Sequence, residues 1–90
     1  MENLDRIKQL IYDDKAAEAI PLLNEIIDKD PSSDEAFYLR GNAYRKLDNI
    51  KQAIHDYLCA LELNPDSPAR EAHGMLVKIM NFYNKDMYNH

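Results

Sequence analysis

Residues 25–33 read EIIDKDPSS and residues 60–68 read ALELNPDSP, so two apolar segments of the chain close in the same way. In each ending an acidic or amide residue precedes a proline and a serine follows, and Pro31 and Pro65 lie 34 residues apart. The residue before a proline disfavours the α conformation, so each ending is expected to terminate a helix. The duplication predicts a helical unit of 34 residues that occurs twice.

Hydrophobic residues recur at helical spacing throughout the chain, and glycine is scarce, with only Gly41 and Gly74. This pattern predicts five helices. They cover about residues 2–12, 15–29, 32–47, 49–64 and 68–83, and the last is expected to fray within the terminal KDMYNH.

Polar residues stand where the predicted helices begin and are expected to cap them. The expected caps are Asp13 with Asp14 for the second helix, Ser32 with Glu35 for the third, Asn49 with Gln52 for the fourth and Ser67 with Pro68 for the fifth. Pro21 falls inside the second helix and is expected to bend it, because proline lacks the amide donor.

The second unit resembles the tetratricopeptide repeat, whose pattern of aromatic, small and proline positions it follows. The matching residues are Phe37, Gly41, Tyr44, Ala53, Tyr57, Ala60 and Pro65. The resemblance implies one all-α domain over residues 1–90, a right-handed stack of two antiparallel helix pairs closed by a solvating helix. Residues 1–33 would form a degenerate first repeat, 34–67 the second repeat, and 68–90 the capping helix and tail. Within this family the chain resembles very short stand-alone bacterial proteins that have two repeats and a C-terminal capping helix.

Small residues at Gly41, Ala53 and Ala60 are expected where the two helices of the second repeat approach each other most closely. Arg40 stands where the repeat pattern has leucine. We expect its aliphatic stem to cover apolar surface while its charged end reaches water.

Composition excludes several classes of partner. A chain of 90 residues with a net charge of −5 is unsuited to nucleic acid or to an anionic membrane surface. No segment reaches the roughly 18 apolar residues of a membrane span. The single cysteine, Cys59, agrees with a reducing compartment. We therefore expect a cytoplasmic protein.

Chemically reactive residues are few and do not form a recognisable site. His55 and Cys59 have the i, i+4 spacing of two metal ligands, but no further ligands complete the set. Asp56 follows His55 directly, and adjacent helical residues point in different directions. We predict no catalytic residues, no metal site and no cofactor, and therefore no enzyme.

The resemblance implies that the first helices of the units line a concave groove that binds an extended peptide or a partner helix. The corresponding positions are Asp5, Gln9, Tyr12, Tyr38, Asn42, Arg45, Glu71, Met75, Lys78 and Phe82. Aromatic, amide and charged groups along one groove are typical of peptide recognition. An alternative interpretation is that Tyr38 and Phe82 only cover the edge of the core.

A second functional class remains open at this stage, a structural protein that self-associates through its capping helix. The three segments carry charges of −4, −2 and +1, and aromatic residues gather near the C-terminus. Phe82, Tyr83, Met87 and Tyr88 could form such a contact or fold back over the core.

The resemblance also implies where chaperone-binding members hold the two carboxylates of an acidic tail. Those places carry Asp5, Gln9, Leu39, Pro68 and Ala72 in this sequence, and none of them is cationic. We therefore expect no binding of tails that present two carboxylates.

Overall fold

The two duplicated endings of the sequence each terminate a helix, the second helix before Pro31 and the fourth before Pro65. The computed structural model describes residues 4–83, and within that range the chain forms five α-helices and no strand. The helices are α1 (Leu4–Tyr12), α2 (Ala16–Lys29), α3 (Asp34–Lys46), α4 (Ile50–Leu63) and α5 (Ala69–Tyr83). This confirms the all-α prediction; the expectations for residues 2 and 3 and for KDMYNH lie outside the described residues.

Each helix packs on its neighbour in the chain, which produces a stack. The α1–α2 and α3–α4 pairs are joined through contacts of α2 with α3, and α5 lies on α4. The first helices α1 and α3 also touch each other. The observed plan is therefore two helix pairs followed by a single closing helix.

The core consists of two clusters that meet at α3. The first cluster joins α1, α2 and one side of α3 and is formed by Ile7, Ile11, Ala16, Ala19, Leu23, Ala36, Leu39 and Ala43. The second joins α4 and α5 and is formed by Ala53, Tyr57, Ala60, Ala69 and Leu76. Tyr38 packs against both clusters, so its backbone position is determined by two cores.

Gly41 marks the closest approach of α3 and α4. A Cβ atom at this position would lie 2.6 Å from Cε1 of Tyr57 and 3.2 Å from the carbonyl oxygen of Ala53. A distance of 2.6 Å essentially never occurs for a real Cβ atom, so any larger residue requires the ring of Tyr57 or the α4 backbone to shift. The prediction that Gly41 is a packing glycine is confirmed.

The turn between α1 and α2 differs from the sequence prediction. Lys15, and not Asp13 or Asp14, precedes α2, and it supplies no side-chain cap. Asp14 adopts a left-handed backbone, with φ of 63°, which reverses the chain within three residues. Its carboxylate lies 3.5 Å from Nζ of Lys46 on α3, so it is directed to another helix.

The cap of α3 was predicted one residue too early. Ser33 caps the helix, and its hydroxyl accepts a bond of 3.2 Å from the amide of Ala36. Ser32 instead donates its hydroxyl to Asp30 at 2.6 Å, within the turn. Glu35 pairs with Lys8 of α1, so a contact between helices replaces the reciprocal bond of a capping box.

The other two predicted caps are confirmed. The side-chain oxygen of Asn49 accepts from the amide of Gln52 at the start of α4. The buried hydroxyl of Ser67 accepts from the amide of Ala69 at 3.1 Å, where α5 begins.

Pro21 lies inside α2, and the helix continues through it to Lys29.

Within residues 4–83, none of the helices combines the length and the apolar character that crossing a membrane requires.

Candidate functional site

A cleft of about 320 Å³ separates α1 from α3 on the side where the two first helices meet. We call it the tyrosine cleft. It is lined by Lys8, Ile11, Tyr12, Tyr38, Leu39, Asn42, Arg45 and Lys46. Four predicted groove residues, Tyr12, Tyr38, Asn42 and Arg45, are thus brought together, and Tyr12 is 80% exposed.

A second cleft of about 260 Å³ adjoins the first at the N-terminal end of α3, and we call it the acidic cleft. Its lining residues are Lys8, Asp34, Glu35, Tyr38, Ser67 and Pro68. Because Lys8 and Tyr38 line both clefts, the two clefts adjoin along α3, and together we call them the groove. Asp34 is held in place by a 3.1 Å bond from the side-chain amide of Asn64.

Tyr57 supports this groove from beneath. Its fully buried ring lies against Gly41, and its centroid is 6.0 Å from that of Tyr38. Its hydroxyl donates a hydrogen bond to Oδ1 of Asn42. Burial raises the pKa of Tyr57 to about 12, against a smaller opposite effect of Arg45, so the hydroxyl keeps its proton and remains a donor. The side-chain carbonyl of Asn42 therefore accepts from Tyr57, and its amide nitrogen is the donor that the residue can offer to a ligand.

The cations of the tyrosine cleft differ in how they are paired. Lys8 lies 3.0 Å from Glu35 and 3.7 Å from Asp5, and the hydrogen bond with Glu35 is the main reason that the pKa of Lys8 is raised. Lys46 pairs with Asp14. Arg45 is exposed and forms no ion pair with a carboxylate of residues 4–83.

The remaining predicted groove residues lie elsewhere on the surface. Asp5 and Gln9 are exposed on α1, and Gln9 donates to the carboxylate of Asp13 at 3.1 Å. Four predicted residues are exposed on α5 and line neither cleft: Glu71, Met75, Lys78 and Phe82.

Sequence reasoning missed Lys8 and Lys46 as cleft residues. Helical spacing could have identified both, since Lys8 lies four residues before Tyr12 and Lys46 four residues after Asn42. Leu39, which stands at one of the places where the resemblance implied that other members hold a carboxylate, is only 3% exposed and belongs to the first core cluster.

Arg40 corrects a further prediction, because its charged end does not simply reach water. Its guanidinium donates two bonds to the fully buried carboxylate of Asp56, at 2.8 and 2.9 Å. A third bond of 2.9 Å reaches Asn24 on α2, and the group lies 5.5 Å from the ring centroid of Phe37. The hydrogen bond with Asp56 raises the pKa of Arg40. A buried carboxylate requires such a partner, and the spacing of 16 residues along the chain gave no indication of it.

The reactive residues of α4 have partners or surroundings that the structure defines. Asp56 is engaged by Arg40, and His55, 3.8 Å away, is largely exposed. Burial raises the pKa of Cys59, which keeps it in the less reactive thiol form. In the part of the chain that the structure describes, no three His, Cys, Asp or Glu side chains gather as a metal ion would require.

The fold and the groove define a helical-repeat protein, and comparisons with known proteins agree. Residues 34–67 match the family described as tetratricopeptide repeat. The solution structure of Bacteroides fragilis protein BF1650 is similar to this chain, with 50% identity and a TM-score of 0.87, covering 99% of this chain and 91% of that one. The protein belongs to the tetratricopeptide repeat family.

A curated relative is much longer. The yeast peptidyl-prolyl cis-trans isomerase CYP7, from Saccharomyces cerevisiae, is 38% identical over 71 residues. That match covers 77% of this chain and 16% of the isomerase. The similarity therefore concerns a short segment of that protein.

Proposed function

We propose that this protein is a non-catalytic adaptor or scaffold of the cytoplasm that binds a peptide or a partner helix in the groove between α1 and α3. The observation that carries this proposal is the tyrosine cleft, in which Tyr12 of one repeat stands beside Tyr38, Asn42 and Arg45 of the next. Tetratricopeptide repeats are in general protein-interaction modules, which supports the same function.

The chemistry of the cleft suits an extended peptide. Tyr12 and Tyr38 offer aromatic surface on which an apolar side chain can be buried. The amide of Asn42 can hold a backbone carbonyl, because its own carbonyl is bonded to Tyr57. Since the groove is short, we expect dissociation constants of about micromolar or weaker for an isolated peptide.

A photoreactive amino acid placed at Tyr12 tests the proposal in native cytosol. Leu58 serves as the matched control site, because it is 45% exposed on α4 and lines neither cleft. We expect covalent capture of partner proteins from the Tyr12 site and not from the Leu58 site. The Tyr38→Ala, Arg45→Glu variant should abolish that capture. Equal capture from both sites would contradict binding in the groove.

Self-association through α5 is the second candidate function. Met75, Ile79 and Phe82 are 56, 44 and 73% exposed and follow the i, i+4, i+7 spacing of one helix face. The side chain of Tyr83, and Met87 and Tyr88, lie outside the described residues. Sedimentation over about a hundredfold range of concentration separates the two functions. A groove-binding adaptor keeps the molar mass of a monomer at every concentration. The molar mass of a self-associating protein rises with concentration, and Ile79→Glu should return it to that of the monomer.

A further inference from the structure

The groove along α3 has acidic side chains at one end and basic side chains at the other. At the N-terminal end of α3, Asp34 and Glu35 line the acidic cleft. At the C-terminal end, Arg45 and Lys46 line the tyrosine cleft. The net charge of the chain does not reveal this arrangement, because it depends on which side chains border the groove.

Ion pairs within the protein partly offset the charge at each end of the groove. The carboxylate of Asp14 accompanies Lys46, and that of Glu35 accompanies Lys8 near the middle of the groove. Arg45 has no carboxylate partner among residues 4–83 and is exposed at the cleft. A guanidinium in this position can receive one carboxylate through two parallel hydrogen bonds.

The opposite end disfavours a second carboxylate. The carboxylates of Asp34 and Glu35 both line the acidic cleft. Lys8 is the cation that lines it with them, and its ammonium group already pairs with Glu35. A negatively charged ligand group placed there would be repelled, whereas a lysine or arginine would be attracted. The two ends of the groove therefore select opposite charges.

The separation of the two ends sets the spacing of those charges in the ligand. Glu35 and Arg45 lie about 15 Å apart along the axis of α3, at the rise of an α-helix. An extended peptide covers that distance in about five residues. Between the two ends, the surface of Tyr12 and Tyr38 is suited to a large apolar side chain.

We propose that the groove selects an extended segment of a partner protein that carries one carboxylate, a large apolar side chain, and a cationic side chain about five residues from the carboxylate. The carboxylate binds Arg45, the apolar side chain enters the tyrosine cleft, and the cation lies at Asp34 and Glu35. This inference rests on the proposed function of the groove and specifies its ligand.

Four fluorescent peptides of one length and one apolar centre test the proposal, with both ends blocked. Two carry Asp and Lys about five residues apart in opposite orders, because an extended chain can lie in either direction. The third carries Asp at both places and the fourth Asn at both. We expect one Asp/Lys peptide to bind about fivefold or more tightly than the Asp/Asp and Asn/Asn peptides, with the preference weakened by salt.

Arg45→Gln should reduce the affinity for the preferred peptide to that of the Asn/Asn peptide. Lys51→Gln is the matched control, because Lys51 is exposed on α4 and lines neither cleft, and it should leave the preference unchanged. Tightest binding of the Asp/Asp peptide, or a preference that survives Arg45→Gln, would overturn the proposal.

Two further outcomes separate this inference from the proposed function. Equal binding of all four peptides that is lost in a Tyr12→Ala variant would overturn the charge selection and leave the groove as the binding site. Binding that Tyr12→Ala and Tyr38→Ala do not alter, or no binding of any peptide at millimolar concentration, would overturn both.

Discussion

The two glycines of the chain have opposite surroundings, and their substitution should have opposite effects. Gly41 has no room for a Cβ atom beside Tyr57 and Ala53, whereas a Cβ atom at Gly74 would have nothing within 4 Å. We expect Gly41→Ala to lower the free energy of unfolding by about 1–3 kcal/mol through overpacking, and the bulkier Gly41→Leu by about 2–4 kcal/mol. Gly74→Ala should raise it by about 0.5–1 kcal/mol through helix propensity.

Urea denaturation of the wild type and of the two alanine variants measures these changes. If Gly41→Ala were as stable as the wild type, the repeat register that places Gly41 against Tyr57 would be wrong.

Tyr57 makes the stability sensitive to high pH. Burial raises its pKa from 10.0 to about 12, so the folded state binds the phenolic proton more tightly than the unfolded state. The stabilisation that comes from this tighter proton binding is present below pH 10 and is lost as the pH rises to about 12. We expect the stability advantage of the wild type over Tyr57→Phe to shrink by about 2 kcal/mol across this interval.

Chemical denaturation at several pH values between 9 and 12 measures this difference, and the Tyr57→Phe variant accounts for the titration of all other groups. A constant difference between the two proteins would show that the hydroxyl of Tyr57 is not buried as described.

At the scale of helices, Arg40 connects three elements. It lies on α3, bonds to Asp56 of α4 and reaches Asn24 of α2. Arg40→Leu restores the leucine of the repeat pattern but leaves the buried carboxylate of Asp56 without a partner, so we expect a loss of about 3–5 kcal/mol. Because the penalty comes from that orphaned charge, the Arg40→Leu, Asp56→Ala double variant should lose less than the two single variants together. A double-mutant cycle by thermal denaturation tests this, and strict additivity would refute it.

Pro21 weakens α2 from within. The helix continues from Ala16 to Lys29, and Pro21 is exposed, so its ring contributes little to the core. Pro21→Ala restores a backbone donor at no cost in packing and should stabilise the protein by about 1–3 kcal/mol. The melting temperature reports the change. A clear decrease would mean that the fixed backbone angle of proline stabilises the start of α2.

In the molecule as a whole, stability should be highest in the middle of the stack. The helices α3 and α4 have neighbours on both sides, whereas α1 and α5 close the ends. In a linear stack each element is stabilised only by adjacent elements. We therefore expect the backbone amides of α3 and α4 to exchange with solvent more slowly than those of α1 and α5.

Hydrogen exchange measured by NMR checks this order. Leu76→Ala, which removes a buried side chain of α5, should accelerate exchange in α5 much more than in α1. Uniform acceleration through the chain would indicate that the stack unfolds only as one unit.

The sequence by itself determined the plan of the stack. The endings at Pro31 and Pro65 and the apolar periodicity predicted five helices in this order, because helix termination and helical spacing are local properties. Gly41 was also identified as a packing residue from the repeat pattern alone. Four of the ten predicted groove residues line one cleft. Three of them, Tyr38, Asn42 and Arg45, share one face of α3 and remain neighbours in any helical structure, whereas Tyr12 joins them only through the packing of α1 on α3.

Only the tertiary structure decided the contacts between helices. The pairing of Arg40 with Asp56, the bond from Tyr57 to Asn42 and the contact of Lys8 with Glu35 join residues on different helices. The geometry of these contacts depends on the angles at which the helices cross and on which charges become buried. The spacing of residues along one helix predicts neither of them. The misplaced caps have the same origin: Asp14 and Glu35 were expected to serve their own helices, but a lysine of another helix lies within reach of each carboxylate.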